Sequence, residues 1–221
     1  MGKMMGMNTS VLWLFSIISR MESQGEESGM DTEGAVGMMA TMKMMDGIRG
    51  ALLAWRLRLH GHKVGRGLAS RAWNPFACSL SGRRKISIGD GVSLGKNVSL
   101  WVKHGAELAI GDGCTFTGDT YVRASQSIRI GAHVMVAEFV SIRDTNHGTA
   151  VGKLICNQPS DHGTVAIGND VWIGAGSRIL KDARIPDGCV IAANSVVLGS
   201  SRLEPDGIYG GAPVRLLKKR S

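Results

Sequence analysis

The sequence predicts an all-β solenoid, a parallel β-helix with three flat faces, on three observations. From Val165 the chain divides into six-residue pieces, VAIGND, VWIGAG, SRILKD, ARIPDG, CVIAAN and SVVLGS, whose third residues are Ile167, Ile173, Ile179, Ile185, Ile191 and Val197. The first residue of each piece is small or valine: Val165, Val171, Ser177, Ala183, Cys189 and Ser195. The phase also runs upstream, through ISIGDG, VSLGKN and VSLWVK with Ile88, Leu94 and Leu100, then at Ile110, Phe116 and Val122, and at Ile130, Val136 and Ile142. A period of six matches neither a helix nor plain strand alternation. It fits a short strand and a turn repeated at constant length, three pieces to a coil, with stacked coils burying one aliphatic column. Backbone hydrogen bonds then run from coil to coil as in a parallel sheet. Gly, Asn and Asp supply the corner conformations. A sandwich of short strands would vary its loop lengths and lose the phase.

The elements follow in chain order. Residues 1–45 hold eleven of the twelve methionines, the acidic polar run ESQGEESGMDTEG and one apolar stretch, Val11–Ile18. Eight residues cannot span a bilayer. Lys3 is the only charge before them and no small-residue cleavage site follows, so a signal peptide is not expected. The segment reads as a disordered tail or a mis-assigned upstream extension, with a membrane-surface helix as the alternative. Residues 46–85 read as a cap and linker: an amphipathic helix placing Leu52, Leu53, Trp55, Leu57 and Leu59 among Arg49, Arg56 and Arg58, closed by His60 and His62, then an irregular connection broken by Pro75. The β-helix covers residues 86–206. Its phase breaks after Ile142 and resumes at Ile167, so residues 143–164 leave the coil as an extruded loop. Residues 207–221 form a closing strand and a basic tail.

Net charge is +8. No Lys/Arg run is interleaved with aromatics and no zinc-finger or RNA-binding signature is present, so no nucleic-acid partner is expected; a basic surface also suits a phosphorylated cofactor. Cys78, Cys114, Cys156 and Cys189 form no CxxC pair. They read as reduced thiols, two or three of them packed as small apolar residues, which fits a cytoplasmic protein without stable membrane insertion.

Three stretches carry a resemblance: DTNHG at 144–148, IGNDVWIGAGSRIL at 167–180 and GIYGGAPVRLLKK at 207–219. Residues 86–218 resemble the hexapeptide-repeat acyltransferases, and more closely the galactoside and maltose O-acetyltransferases and their relatives that acetylate polysaccharides. The resemblance implies a left-handed parallel β-helix, an exception to the right-handed crossover rule. It also implies acetyl-CoA as co-substrate, bound in a groove between adjacent subunits.

Moving acetyl from a thioester to a sugar hydroxyl needs a base during attack and a donor for the oxyanion. Neutral imidazole, with a reference pKa near 6.5, suits that task at pH 7. No covalent enzyme intermediate and no metal are required. His147 lies near the base of the extruded loop, where the resemblance places the family's catalytic histidine, and His162 is its rival. Asp144 or Asn146 is expected to orient the ring or touch the sugar, with turn capping as the alternative. By resemblance, Ala175 and Ala193 meet the pantetheine arm of acetyl-CoA through their backbones, Arg215 and Lys218 face its phosphates, and Trp172 matches a family tryptophan, with packing against the extruded loop as the alternative. Thr117 stands where the sugar acetyltransferases have a substrate-binding asparagine, and Ser125 where they have an acidic residue. Both departures argue against a simple galactoside or maltose acceptor.

The expected function is transfer of acetyl to a saccharide hydroxyl, the unit of a surface or exopolysaccharide, with a small xenobiotic as another acceptor. A triangular prism has no cleft of its own, so a homotrimer with active sites between subunits is expected. Two other readings compete. One is a zinc hydratase of the γ-carbonic anhydrase kind, built on His133, His147 and His162. The other is a non-catalytic scaffold.

Overall fold

The computed structural model describes residues 32–71 and 85–221. The described residues fall into two compact units, divided between Lys43 and Met44. Helix α1, Thr32–Leu59, starts well before Asp46. Ala and Met fill its early positions, and both are good helix formers. Its buried residues in the second unit are Met45, Arg49, Gly50, Leu53, Ala54 and Leu57. This i, i+4 stripe is narrower than the leucine-rich sequence suggests, since Leu52, Trp55 and Leu59 are exposed. The helix ends with Gly61 in the left-handed region (φ 77°). The Gly61 N–H donates to the Arg58 carbonyl and the His62 N–H to the Leu57 carbonyl, a two-bond C-terminal cap. The apolar stretch Val11–Ile18, Cys78 and Pro75 lie outside the described residues. No described helix is long and apolar enough to cross a membrane.

The repeat builds three parallel sheets, one per face. The first face stacks Lys63–Val64, Lys85–Ile88, Glu107–Ile110, Ser127–Ile130, Thr164–Ile167 and Arg184–Ile185. The second stacks Ala69–Ser70, Ser93–Leu94, Thr115–Phe116, Met135–Val136, Trp172–Ile173, Val190–Ile191 and Gly207–Gly210, with Arg215–Lys219 antiparallel at its end. The third stacks Ser99–Val102, Tyr121–Ala124, Ser141–Arg143, Arg178–Ile179 and Val196–Val197. The registers place the third residues of the hexapeptides on top of one another. Ile88, Ile110, Ile130, Ile167 and Ile185 form one inward column, Leu94, Phe116, Val136, Ile173 and Ile191 a second, and Leu100, Val122, Ile142, Ile179 and Val197 a third. All are buried, as are the small first residues. Burying an Ile, Leu or Val side chain gains about 1.5–3 kcal/mol, so the column dominates the stability of the prism.

The corner between first and second faces carries a side-chain ladder. Asp90 accepts from the Arg66 N–H (2.6 Å), Asp112 from Asp90 (2.7 Å), Asn169 from Ala132 (2.8 Å) and Asp187 from Asn169 (2.7 Å). Each carboxylate or amide thus closes a backbone donor of the preceding coil. Ala132 is the one rung here without a side-chain acceptor.

The corner between third and first faces is where coil length varies. From Leu100 to Ile110, Val122 to Ile130 and Ile142 to Ile167 the chain takes ten, eight and twenty-five residues instead of six. A solenoid can absorb insertions at a corner without disturbing the faces. The longest insertion is a hairpin-like excursion whose strands Thr145–His147 and Ser160–His162 pair antiparallel.

Candidate active site

The excursion is fastened at its root by Asp144. This residue has no exposed surface. Its carboxylate accepts from three successive backbone N–H groups of the coil before it: Ser125 at 2.7 Å, Gln126 at 2.7 Å and Ser127 at 2.8 Å. Both oxygens are taken up inside the structure. Asp144 is therefore an anchor, and the expectation that it touches the sugar is corrected by its burial. A second tie runs from Lys181 to Asp161 (2.9 Å), with Asp182 at 2.7 Å from the same ammonium. Donation from Lys181 lowers the Asp182 pKa, and donating to Asp182 and Asp161 raises that of Lys181.

His147 stands three residues beyond this anchor, paired in register with Ser160, and its side chain is exposed. Asn146, also exposed, is its neighbour on the strand. His162 has a different environment. Its Nδ1 is 2.9 Å from Thr145 Oγ1 and its Nε2 is 3.0 Å from Lys103 Nζ. Since an ammonium only donates, Nε2 is the acceptor and the Nδ1–H faces Thr145. Both nitrogens of His162 are thus occupied, which makes it a strut and leaves His147 as the open imidazole of the excursion.

Ala175 and Ala193 lie at the corner between second and third faces on successive coils, where the Asn194 N–H donates to the Ala175 carbonyl at 2.7 Å. Gly174 allows the close approach: a Cβ there would meet the Ala193 nitrogen at 2.6 Å. Arg215 pairs with Gly210, whose neighbour Tyr209 accepts from the Ala192 N–H, so Arg215 lies a few rungs from Ala193. Arg215 and Lys218 are exposed and have no carboxylate partner among the described residues. Lys219 and Arg220, by contrast, pair with Glu204 (3.2 Å) and Asp170 (2.9 Å). Two small side chains, backbone polar groups and two unpaired cations fit an extended thioester carrier with phosphates.

Thr117 occupies the same corner as the alanines on an earlier coil, and its hydroxyl donates to the Val136 carbonyl at 2.7 Å. Within one chain the third face separates Thr117, Ala175 and Ala193 from His147. At about 3.3 Å per residue a four-residue strand is roughly 13 Å long, too far for one imidazole to serve that corner. Trp172 is half exposed on the second face, in a shallow groove of about 300 Å³ with His133, Met135, Asp170, Val190 and Arg220. No residue of the excursion lines that groove, so the alternative of packing against the loop is not met within the chain. Among the described residues no three His, Cys, Asp or Glu side chains cluster as a metal set. His133 sits at the corner between first and second faces, away from His147 and His162. Cys114, Cys156 and Cys189 are free thiols; Cys114 and Cys189 are buried, which pushes both thiols up from their ordinary pKa.

Residues 164–199 match the family described as bacterial transferase hexapeptide (six repeats). Over these residues the chain is similar to hexapeptide-repeat transferases. It is 26% identical over 152 residues to WbbJ of Escherichia coli, named as a lipopolysaccharide biosynthesis O-acetyl transferase, over 65% of this chain and 76% of the relative. It is 50% identical over 58 residues to a protein of Lysinibacillus sphaericus named as a macrolide acetyltransferase, over 26% of this chain but only 31% of that relative. The fold is shared with a point mutant of AntD, an N-acyltransferase from Bacillus cereus solved with dTDP and coenzyme A. The TM-score is 0.60 at 20% identity, over 72% of this chain and 84% of that one.

Sequence reasoning missed one group here. Lys103, Trp101, Arg123 and Arg143 gather at the outer surface of the third face beside the excursion. In the sequence they are separated by insertions of unequal length, so no period reveals them.

Proposed function

We propose that this transferase moves acetyl from acetyl-CoA to a hydroxyl of a saccharide, a unit of a surface or exopolysaccharide, with His147 as general base. The observation that carries the reading is the contrast between two histidines on one rigid excursion: His162 tied at both nitrogens, His147 open, three residues from a carboxylate that accepts three backbone hydrogen bonds.

Acetyl-CoA supplies an activated acyl group. Arg215 and Lys218 hold its phosphates, and the backbone at Ala175 and Ala193 lines its arm. His147, in its neutral form, takes the proton of the acceptor hydroxyl as that oxygen attacks, a contribution of about 10²- to 10⁴-fold. It then returns the proton to the departing thiolate, so the histidine ends as it began. Asn146, exposed beside the base, is placed to touch the acceptor.

Base and cofactor corner lie at opposite edges of the third face. The reaction therefore needs a second chain, whose corner meets the first chain's His147. Cyclic assembly of three prisms satisfies every chain with identical contacts, and we take the active form as a homotrimer. Free thiols and the need for acetyl-CoA fit the cytoplasm.

The test is an acceptor screen with labelled acetyl-CoA, using wild-type and His147→Ala chains. The panel holds neutral and charged saccharides, and a macrolide because of the short, highly identical match. Label should reach a saccharide with the wild type and fall by two to four orders of magnitude with the variant. Binding of acetyl-CoA without transfer to any panel member, or equal transfer by the variant, contradicts the reading. Absence of acetyl-CoA binding would instead favour a scaffold.

A further inference from the structure

The outward residues of the third face form a cluster that acetyl transfer itself does not require. Trp101, Arg123 and Arg143 are register partners on three successive coils. The Arg123 guanidinium lies over the Trp101 ring at 4.3 Å from its centroid, and that of Arg143 over Tyr121 at 5.7 Å. Lys103 follows Trp101 by two residues, and its ammonium reaches His162. Three cations thus share one surface.

None of the three has a carboxylate partner among the described residues. Several cations elsewhere on the prism do: Arg66 with Asp90, Arg129 with Glu107, Lys181 with Asp161 and Arg220 with Asp170. The acid next in sequence to Arg143 is Asp144, whose oxygens are taken by backbone donors. Two further polar atoms in this region are buried without any partner: Arg123 Nε and Ser125 Oγ. Ser125 is only 8% exposed. Buried donors are almost always satisfied in native structures, so a pair of orphans beside three cations that have no carboxylate partner points to an acceptor from outside the chain.

We infer that Lys103, Arg123, Arg143 and Ser125 form an anion subsite that takes a phosphoryl group of the acceptor. Guanidinium forks match phosphate oxygens in a bidentate way, and stacking on Trp101 and Tyr121 fixes their planes in advance. The subsite borders the base, because the links Lys103–His162–Thr145 join it to the strand pair that carries His147. A sugar phosphate or sugar diphosphate anchored there presents its ring hydroxyls toward His147. The inference rests on the acetyltransferase reading only for naming the bound group as the acceptor's.

The experiment is calorimetric titration of inorganic pyrophosphate into the full chain saturated with coenzyme A, so that the phosphates of the donor hold their own site. Four proteins are compared: wild type, Lys103→Gln, Arg143→Gln and the Arg215→Ala/Lys218→Ala pair. Saturable binding is expected for the wild type and for the tail pair. About tenfold weaker binding is expected for each of the two single variants, which change exposed side chains and leave the interior columns intact. Binding that coenzyme A abolishes, or that only the tail pair loses, would assign the phosphate to the donor and overturn the proposal. Equal binding by all four proteins, or none by the wild type, overturns it as well. No catalytic rate enters the measurement, so an inactive chain that still binds pyrophosphate in this pattern would count against the acetyltransferase reading alone.

Discussion

Replacing Asp144 by asparagine tests whether the excursion is held by one buried carboxylate. The wild-type side chain accepts at 2.7, 2.7 and 2.8 Å from the N–H groups of Ser125, Gln126 and Ser127. Asparagine keeps one oxygen and puts an N–H₂ where the other was, so at least one buried N–H then faces a donor. Hydrogen bonds to a charged group are worth about 1.5–3 kcal/mol each, and an orphaned buried donor costs about 1–3 kcal/mol. A loss of about 3 kcal/mol follows, concentrated at this corner. Amide exchange at Ser125, Gln126 and Ser127 should quicken by about 10²-fold, since each tenfold corresponds to about 1.4 kcal/mol. Turnover should fall with it, because His147 is positioned from this root, while the affinity for acetyl-CoA, set at another corner, should hold. Exchange at the three amides within twofold of wild type, with stability changed by less than about 0.5 kcal/mol, would refute the anchor argument.

Ala132→Asn should supply the missing rung of the corner ladder by accepting from the Asp112 N–H. A gain of about 1 kcal/mol is expected, visible as a rise of roughly 2–4 °C in Tm, whereas an unchanged or lower Tm would count against the ladder as a stabilising device. Changing Arg215 and Lys218 together to Ala should raise KM for acetyl-CoA more than KM for acceptor, most clearly at low salt where attraction is least screened; equal effects would point to a structural role. The tie from Lys181 to Asp182 should weaken in acid. The Asp182 pKa is lowered in the fold, so its contribution is complete above the ordinary carboxylate value near 4 and fades as pH falls through the lowered value. The protection factor of the Thr164 amide, which donates to Asp182, should therefore fall below about pH 4 and be flat across neutral pH once the intrinsic base catalysis of exchange is divided out; a fall near pH 6 would implicate another group. Gly50→Ala should destabilise the cap, because its Cβ would run into the backbone of Leu68 and Ala69; an unaffected Tm would show that the helix can shift freely.

The fold was legible because it is written in one dimension. Each hexapeptide contributes one inward aliphatic, so Ile88 and Ile167 announce their roles without knowledge of any partner, and the registers place them in the same column. The excursion that carries His147 was legible from the break in phase after Ile142, which marks where the chain leaves the prism. What lies outside the period was harder to read. The burial of Asp144 depends on three amides some eighteen residues away, across an insertion of irregular length. A charged residue in a turn-rich stretch looks solvated until the preceding coil is in place. The change of composition near Asp46 places the helix after that residue, yet helical hydrogen bonds need no apolar face and run back to Thr32. Trp101, Arg123 and Arg143 face outward, where the repeat imposes no residue type, so their column emerges only once the coils are stacked.

The central claim is that acetyl transfer joins His147 of one chain to the corner of another. Complementation tests it most directly. His147→Ala chains lack the base, and Ala193→Trp chains have the corner filled; each alone should be nearly inactive. Mixed in equal amounts and allowed to exchange, a site needs an intact base from one chain and an intact corner from its neighbour, which random assembly gives at about one interface in four. The account predicts recovery of about a quarter of wild-type activity. No recovery despite demonstrated exchange, or full activity in an isolated monomer, would contradict it.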